Sequence, residues 1–129
     1  MKTTIQATAL TSFEVAPDGD SITLSIIQTD RTLASVRLPF SCISQLLMTL
    51  PEVQVRALRA KHGDPSLRVA YSVGHWALEG TAQEGQVMLT LSTKDGFQAS
   101  FVLAAKELVQ MGNAASKTLG DISIQAVSH

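Results

Sequence analysis

The sequence predicts an α+β fold built from two copies of one unit, in which three strands are followed by a helix. The first observation is an internal match, because residues 87–111 align without a gap on residues 22–46, sixty-five positions earlier. In both segments apolar and polar residues alternate, as in a half-buried strand, and the period then changes to that of a helix. We therefore expect one or two antiparallel sheets with six or seven strands in total and two helices packed on one face. The pattern leaves open whether the strands of the two copies join.

Identical residues occupy six of the twenty-five aligned positions, namely Leu24/Leu89, Asp30/Asp95, Ala34/Ala99, Ser35/Ser100, Leu38/Leu103 and Gln45/Gln110. Shared patterning without a common origin would produce part of this score, and it remains the alternative to duplication. One such unit leaves a face that it cannot cover by itself, and pairing two units would bury both faces. We therefore expect a single domain of residues 1–129 with two pseudo-symmetric halves, residues 1–64 and 65–129.

Length and composition predict a folded cytoplasmic protein. A chain of 129 residues with 45% hydrophobic residues is long enough to bury a core as one domain. The only cysteine, Cys42, cannot form an intramolecular disulfide, which suits a reducing compartment. No apolar run approaches the roughly eighteen residues of a membrane span, and residues 1–17 lack the apolar region of a signal peptide. No membrane association is expected.

The charge content favours self-association over binding to a polyanion. Charged residues make up 16% of the chain, and the formal net charge is −1. A nearly neutral chain has no strong field that attracts nucleic acid. A surface with few charges leaves apolar area exposed, so we expect either a homo-oligomer, in its simplest form a homodimer, or a face that binds another protein. The alternative is a surface covered adequately by Ser, Thr and Gln.

Strands are predicted over residues 5–15, 22–29, 32–38, 67–79, 86–92, 97–103 and 122–126. Turn residues separate them, with the strongest hairpin signal at Asp95-Gly96. In the fourth strand Trp76 and Tyr71 are an odd number of residues apart, so in a regular strand they would face opposite sides of the sheet. A β-bulge at Gly74 is expected to bring Trp76 back to the core side.

Two helices are predicted, each directly after a strand pair. The first has an apolar stripe formed by Ile43, Leu46, Leu47 and Leu50. Its expected N-cap is Ser41, and Pro51 predicts a kink or a fresh start with Thr49 as a cap. Gly63 is expected to end it. The second helix is predicted over residues 104–119, with Leu108, Met111, Ala115 and Leu119 on its inner face.

The sequence contains few signals of catalysis or metal binding. Cys42 lies at the start of the first helix, but a nucleophile also needs a base, and His62 and His75 lie in other elements. We interpret Cys42 as a small half-buried residue, and Asp30 and Asp95 as turn residues. The sequence contains none of the HxxxH, CxxC, EF-hand, GxGxxG or P-loop patterns. No catalytic residue, metal or cofactor is predicted.

The leading hypothesis is a non-enzymatic binding module that acts as a homo-oligomer and binds a protein or a small ligand. Its expected working surfaces are the seam between the repeats and the outer face of the hairpins. This outer face mixes hydroxyl and apolar side chains, as expected of a face through which two sheets self-associate in a dimer. That outer face comprises Ser25, Ile27, Leu33, Ser35, Arg37, Thr90, Ser92, Gln98, Ser100 and Val102.

A second hypothesis is an enzyme or ligand carrier with a pocket between sheet and helices. Tyr71, His75 and Trp76 are the residues expected near its mouth, with Glu79 as a candidate carboxylate.

A third hypothesis is a single-stranded nucleic-acid-binding module. Its anionic partner would meet a basic cluster formed by Arg56, Arg59, Lys61 and Arg68. In architecture alone, two units of strands followed by a helix resemble the single-stranded nucleic-acid-binding folds that pair two such repeats. Those folds stack bases on exposed aromatic side chains, whereas Trp76, Phe97 and Phe101 read as core here. Nucleic acid is therefore the least expected partner.

Overall fold

The computed structural model describes the backbone of residues 2–127 and the side chains of residues 2–120. Its elements follow one another as β1 (Ala7–Val15), β2 (Ser21–Gln28), β3 (Leu33–Pro39), α1 (Phe40–His62), β4 (His75–Gly80), β5 (Gln86–Ser92), β6 (Gln98–Ala104) and α2 (Ala105–Val127). Contacts divide the chain into two compact units, Met1–Val69 and Ala70–His129, which we call the first and second unit. Each unit holds three antiparallel strands followed by one helix, which confirms the α+β class and the predicted repeat.

The two units repeat with the sixty-five-residue offset of the sequence match. Strand β6 and helix α2 begin and end sixty-five residues after β3 and α1. Strand pairing repeats as well, because Ile22 lies opposite Leu38 in the first unit and Val87 lies opposite Leu103 in the second. Since a shift of one residue would turn every side chain to the other face, the shared register gives both sheets the same sidedness.

The strands form two separate three-stranded sheets, in the orders β1-β2-β3 and β4-β5-β6. The strands of the two copies therefore do not join into one larger sheet, which answers the question that the sequence left open. The central strands β2 and β5 are each paired on both sides within their own unit, through short connections that favour local antiparallel pairing.

The predicted final strand over residues 122–126 is wrong, because α2 runs from Ala105 to Val127 and includes this segment. Apolar positions 115, 119, 122 and 126 are spaced by three or four residues, which suits a helix as well as the local alternation suits a strand. Gly120 does not end the helix, since glycine inside a helix costs only about 1 kcal/mol relative to alanine.

The fourth strand is shorter than predicted and has no bulge. It spans His75–Gly80, and its register with β5 is regular, with Trp76 opposite Leu91. Pairing starts at Gly74, whose N–H donates to the Ser92 carbonyl at 2.7 Å. A Cβ at Gly74 would lie 2.8 Å from Lys94 Cγ, so glycine is needed there for close approach to the hairpin turn.

A bulge occurs instead in β1. The register with β2 shifts between Leu10 and Ser12, so that Leu10 lies opposite Ile26 while Phe13 lies opposite Leu24. Leu10 and Phe13 have opposite parity and would face opposite sides of a regular strand. The extra residue puts both on one side of the sheet.

Helix α1 is continuous from Phe40 to His62 and contains Pro51 in its interior. The expected fresh start at Pro51 is therefore wrong, and the Thr49 hydroxyl donates to the Gln45 carbonyl at 2.8 Å rather than capping a second helix. The N-cap is Pro39, without a side-chain hydrogen bond, and Ser41 lies inside the first turn. Gly63 ends the helix as predicted, with a left-handed φ of 61°.

No side chain of residues 2–120 is buried. Within the described residues α1 contacts mainly β3 and β2, the elements next to its start, and α2 contacts β6. The expectation that the helices pack on the sheets to form a core is therefore not met inside either unit. No helix in the described part of the chain combines the length and hydropathy needed to pass through a lipid bilayer.

Candidate functional site

Each sheet has one face made only of apolar side chains, which the strand register places together. In the first unit the apolar face consists of Leu10, Phe13, Val15, Ile22, Leu24, Ile26, Ala34, Val36 and Leu38. In the second unit it consists of Trp76, Leu78, Val87, Leu89, Leu91, Ala99, Phe101 and Leu103. The opposite faces carry mostly hydroxyl, amide and charged groups, with Ser12, Ser25 and Ser35 side by side.

The apolar faces are open. Phe13 is 68% exposed and Trp76 is 61% exposed, and both lie on outer strands of their sheets. Residues of the central strands β2 and β5 are half-buried. Burying one large apolar side chain fully contributes about 1.5–3 kcal/mol, so leaving these faces in water forgoes most of the driving force for folding. A stable fold therefore requires another apolar surface to pack on these faces.

Both helices carry an exposed apolar stripe of their own. In α1 the stripe comprises Ile43, Leu46, Leu47, Leu50, Val53 and Ala57, and in α2 it comprises Leu108, Met111, Ala115 and Leu119. Leu47 is 64% exposed and Leu119 is 63% exposed. The helices therefore present the same kind of unpartnered surface as the sheets.

The junction between sheet and helix is the same in both units. Each helix begins at the residue after the third strand, with no connecting residue between them. The first helical N–H is hydrogen-bonded back to the connection before the central strand, from Phe40 to the Asp20 carbonyl at 2.9 Å and from Ala105 to the Gly85 carbonyl at 2.8 Å. These bonds fix the start of each helix to the end of its own sheet.

An open groove of about 240 Å³ lies at one side of the second apolar face. It is lined by Tyr71, Val73, Leu91, Ser92, Thr93, Phe97, Ala99 and Phe101. The rings of Tyr71 and Phe97 are 5.4 Å apart between centroids and inclined by 39°, a tilted packing that holds the wall of the groove together. Its lining is aromatic and aliphatic with a few hydroxyl groups, which suits a small apolar ligand.

The residues expected at the mouth of a ligand pocket are divided by the structure. Tyr71 lines the groove. His75 lies opposite Ser92 on the polar face of the second sheet, and Trp76 lies on the apolar face outside the groove lining. Phe97 and Phe101, assigned to the core from the sequence, form the groove instead. The Asp-Gly turn and the alternation after it located both aromatics but could not show that they stay open to solvent.

The basic cluster is partly engaged within its own unit. Arg56 forms an ion pair with Glu52, with 2.7 Å between Nη2 and Oε1. Arg59 donates from Nε to the Leu67 carbonyl at 2.9 Å and so ties the end of α1 to the segment after it. Lys61 and Arg68 are exposed and make no ion pair within the described residues. Two free cations are a weak site for a polyanion, which needs several phosphate contacts.

The acidic turn residues are held by their own turns. The hydroxyl and backbone N–H of Thr32 both donate to Asp30 and keep the pKa of that carboxyl below its usual value. Asp95 is bonded to the Thr93 hydroxyl in the equivalent hairpin. Cys42 is half-buried. Within the described residues no three His, Cys, Asp or Glu side chains come together as a metal site.

Comparisons with protein-family models, with curated proteins and with solved structures find no match for this chain. The surfaces of the two units are therefore the basis for assigning a function.

Proposed function

We propose that the protein is a non-enzymatic binding module that acts as a homo-oligomer, in its simplest form a homodimer. One observation carries the proposal: each sheet has a complete apolar face, and no side chain of residues 2–120 is buried. Large contiguous apolar patches on soluble chains mark sites of association. The net charge of −1 adds little repulsion between copies.

Association through the apolar faces leaves the hydroxyl-rich faces free. The sequence favoured the hydroxyl-rich outer face of the hairpins for self-association, but the uncovered apolar area lies on the other side of each sheet. On the polar side the Thr90 and Ser100 hydroxyls are 2.8 Å apart, and neighbouring residues carry further donors and acceptors. This is the surface we assign to a protein partner of the assembled module.

The test uses two neighbouring residues of the central strand β2. Leu24 lies on the apolar face, and Ser25, the next residue, lies on the polar face. Leu24→Asp is expected to weaken self-association at least about tenfold, the equivalent of about 1.4 kcal/mol, because it places a charge in the interface. Ser25→Asp adds the same charge to the same strand and is the matched control.

Light scattering on a sizing column over a range of concentrations gives the mass of each variant. A concentration-independent dimer that Leu24→Asp dissociates and Ser25→Asp retains supports the proposal. A wild-type chain that stays monomeric at high concentration would contradict the proposal.

The groove beside Tyr71 and Phe97 favours a second function, the carriage of a small apolar ligand. The test is a titration of indole into ¹⁵N-labelled protein, followed by amide chemical shifts. Saturable changes confined to the groove residues, and lost in Phe97→Ala, are expected of a carrier. Unsaturable changes spread over both apolar faces would show general hydrophobic adsorption instead.

A further inference from the structure

We infer that the apolar face of each sheet is covered by an apolar helix stripe from a second copy of the chain, so that the copies exchange helices. The inference rests on the proposed homo-oligomer and specifies which surfaces meet in it. In the assembly, helices pack on sheets. Sheets do not pack on sheets, and helices do not pack on helices.

The junction geometry prevents each helix from covering its own sheet. Phe40 and Ala105 begin the helices with no loop after the third strand, and their N–H groups are bonded to Asp20 and Gly85 at the end of the same sheet. A chain must reverse direction to lie back on the sheet that it has just left, and there is no residue between strand and helix to make that turn. Each stripe is therefore left for a surface other than the sheet of its own unit, and a second copy of the chain carries such a surface.

The dimensions of the two surfaces match. A helix of 23 residues is about 34 Å long and about 10 Å across. Three strands of six to nine residues make a face about 14 Å wide and about 20–30 Å long. One helix laid along the strands therefore covers one sheet and leaves no broad apolar margin.

The area is that of an obligate dimer. Each sheet offers a footprint of about 300 Å², and each helix-on-sheet contact removes a similar area from both partners. Two copies contain two sheets and two helices each, which makes four contacts and about 2,400 Å² in total. Obligate homodimers bury more than about 2,000 Å², so the surfaces suffice without a contribution from another protein.

The chemistry of the surfaces also points to a second copy. Neither apolar face and neither stripe contains a charged residue, so no charge loses its hydration when they meet. The chain supplies sheets and helices in equal number, and each surface finds its complement in an identical molecule. An unrelated partner would have to supply two helices to one molecule.

The test is photo-crosslinking in mixed dimers. The photoreactive residue p-benzoylphenylalanine replaces Leu50 in the stripe of α1, in chains of natural isotope content. These chains are unfolded and refolded together with ¹⁵N-labelled wild-type chains, and native mass spectrometry checks that light–heavy dimers form. Val53, at the margin of the stripe, is the second position to use if the Leu50 replacement does not fold.

Met48 provides the control on the same helix. It is 85% exposed and lies two residues before Leu50, about 160° around the helix axis. The expected result is a light–heavy crosslink from position 50 to an apolar face of the partner copy, and loss of that crosslink when the reactive group is at position 48.

Three results overturn the inference and leave the homo-oligomer standing: light–heavy crosslinks from helix to helix, equal sheet crosslinking from positions 48 and 50, or crosslinks within single chains only. A chain that remains monomeric at every concentration removes the inference together with the proposed function.

Discussion

Arg31 occupies in the first unit the backbone conformation that Gly96 occupies in the second. The φ angles are 72° and 100°, and each residue donates its N–H to the carbonyl three residues earlier, that of Gln28 and of Thr93. Both lie at the tip of the hairpin before the third strand. The left-handed conformation is easy for glycine and strained for arginine, so the first hairpin stores strain that the second avoids.

Exchanging these residue types should therefore change stability in opposite directions. Gly96→Ala is expected to lower the free energy of unfolding by about 1–2 kcal/mol, since no atom lies within 4 Å of the new Cβ and only backbone strain acts. Arg31→Gly is expected to raise it by about 0.5 kcal/mol, because the relief of strain exceeds the added entropy of the unfolded chain. Urea unfolding measures both, and two changes of the same sign would contradict the prediction.

Gly74, just before β4, and Gly80, its last residue, should differ sharply in their tolerance of a methyl group. A Cβ at Gly74 would meet Lys94 Cγ at 2.8 Å and Lys94 N at 3.1 Å, whereas Gly80 has nothing within 4 Å. Gly74→Ala is expected to destabilise the protein by about 1–3 kcal/mol through displacement of the hairpin turn. Gly80→Ala is the control, and equal losses for both would show that the contact with Lys94 does not matter.

Stability should fall in acid partly through Asp30. The Thr32 hydroxyl, and then the Thr32 backbone N–H, hold the pKa of Asp30 below the usual 3.8. Because the folded-state pKa is the lower one, the stabilisation is present above 3.8 and is lost as the pH falls through the folded value. Thr32→Val removes the hydroxyl donor and should flatten the decline of the urea midpoint between about pH 6 and pH 2.

Asp64 offers an independent check of the same effect. Ser66 lowers its pKa by the same pair of bonds, from hydroxyl and backbone, in a turn outside the sheets. Ser66→Ala should flatten the acid decline in the same direction as Thr32→Val. If neither variant changes the slope, the hydrogen bonds of these turns do not contribute to acid stability.

Replacing Arg59 should lower the stability of the protein more than replacing Arg56. Arg59→Ala removes the bond to the Leu67 carbonyl and is expected to cost about 1 kcal/mol of stability. Arg56→Ala breaks an exposed ion pair within one helix turn and should cost only about 0.3–0.5 kcal/mol. Thermal unfolding gives the comparison, and retention of both variants on an oligonucleotide column at several salt concentrations tests whether either arginine meets a polyanion.

The repeat and the strand faces could be predicted because their signals are local. Alternation of period two predicted that the register partners Ile22/Leu38 and Val87/Leu103 lie on one side of their sheets. The offset of the match also equals the spacing of α1 and α2, although the predicted end of α2 at residue 119 was wrong. The start of α1 was mispredicted because the Ser41 hydroxyl is a local capping signal, whereas the first helical N–H is in fact bonded to Asp20, twenty residues earlier.

The position of the bulge and the open groove depend on contacts between residues distant in the sequence, which local patterns do not predict. Gly74 carried a bulge signal, but the bulge formed at Leu10–Ser12, where Leu10 and Phe13 need the same side of the sheet. Tyr71 was placed near a pocket, yet its partners Phe97 and Phe101 read as core. Alternation identifies the apolar face of a sheet and says nothing about what covers it, so the open groove could not be foreseen.

The bulge in β1 also makes β1 and β4, the first strands of the two sheets, unequal as templates for pairing with a further strand. An outer strand presents a row of unpaired backbone donors and acceptors, and a bulge interrupts the regular spacing that a new strand would need. The first sheet has this interruption, while all six residues of β4 keep a regular register. Amide exchange that slows along β4, and not along β1, on addition of an extended peptide would show the difference. The first sheet thus has an interrupted edge at β1, whereas β4 keeps the regular spacing that a further strand would need.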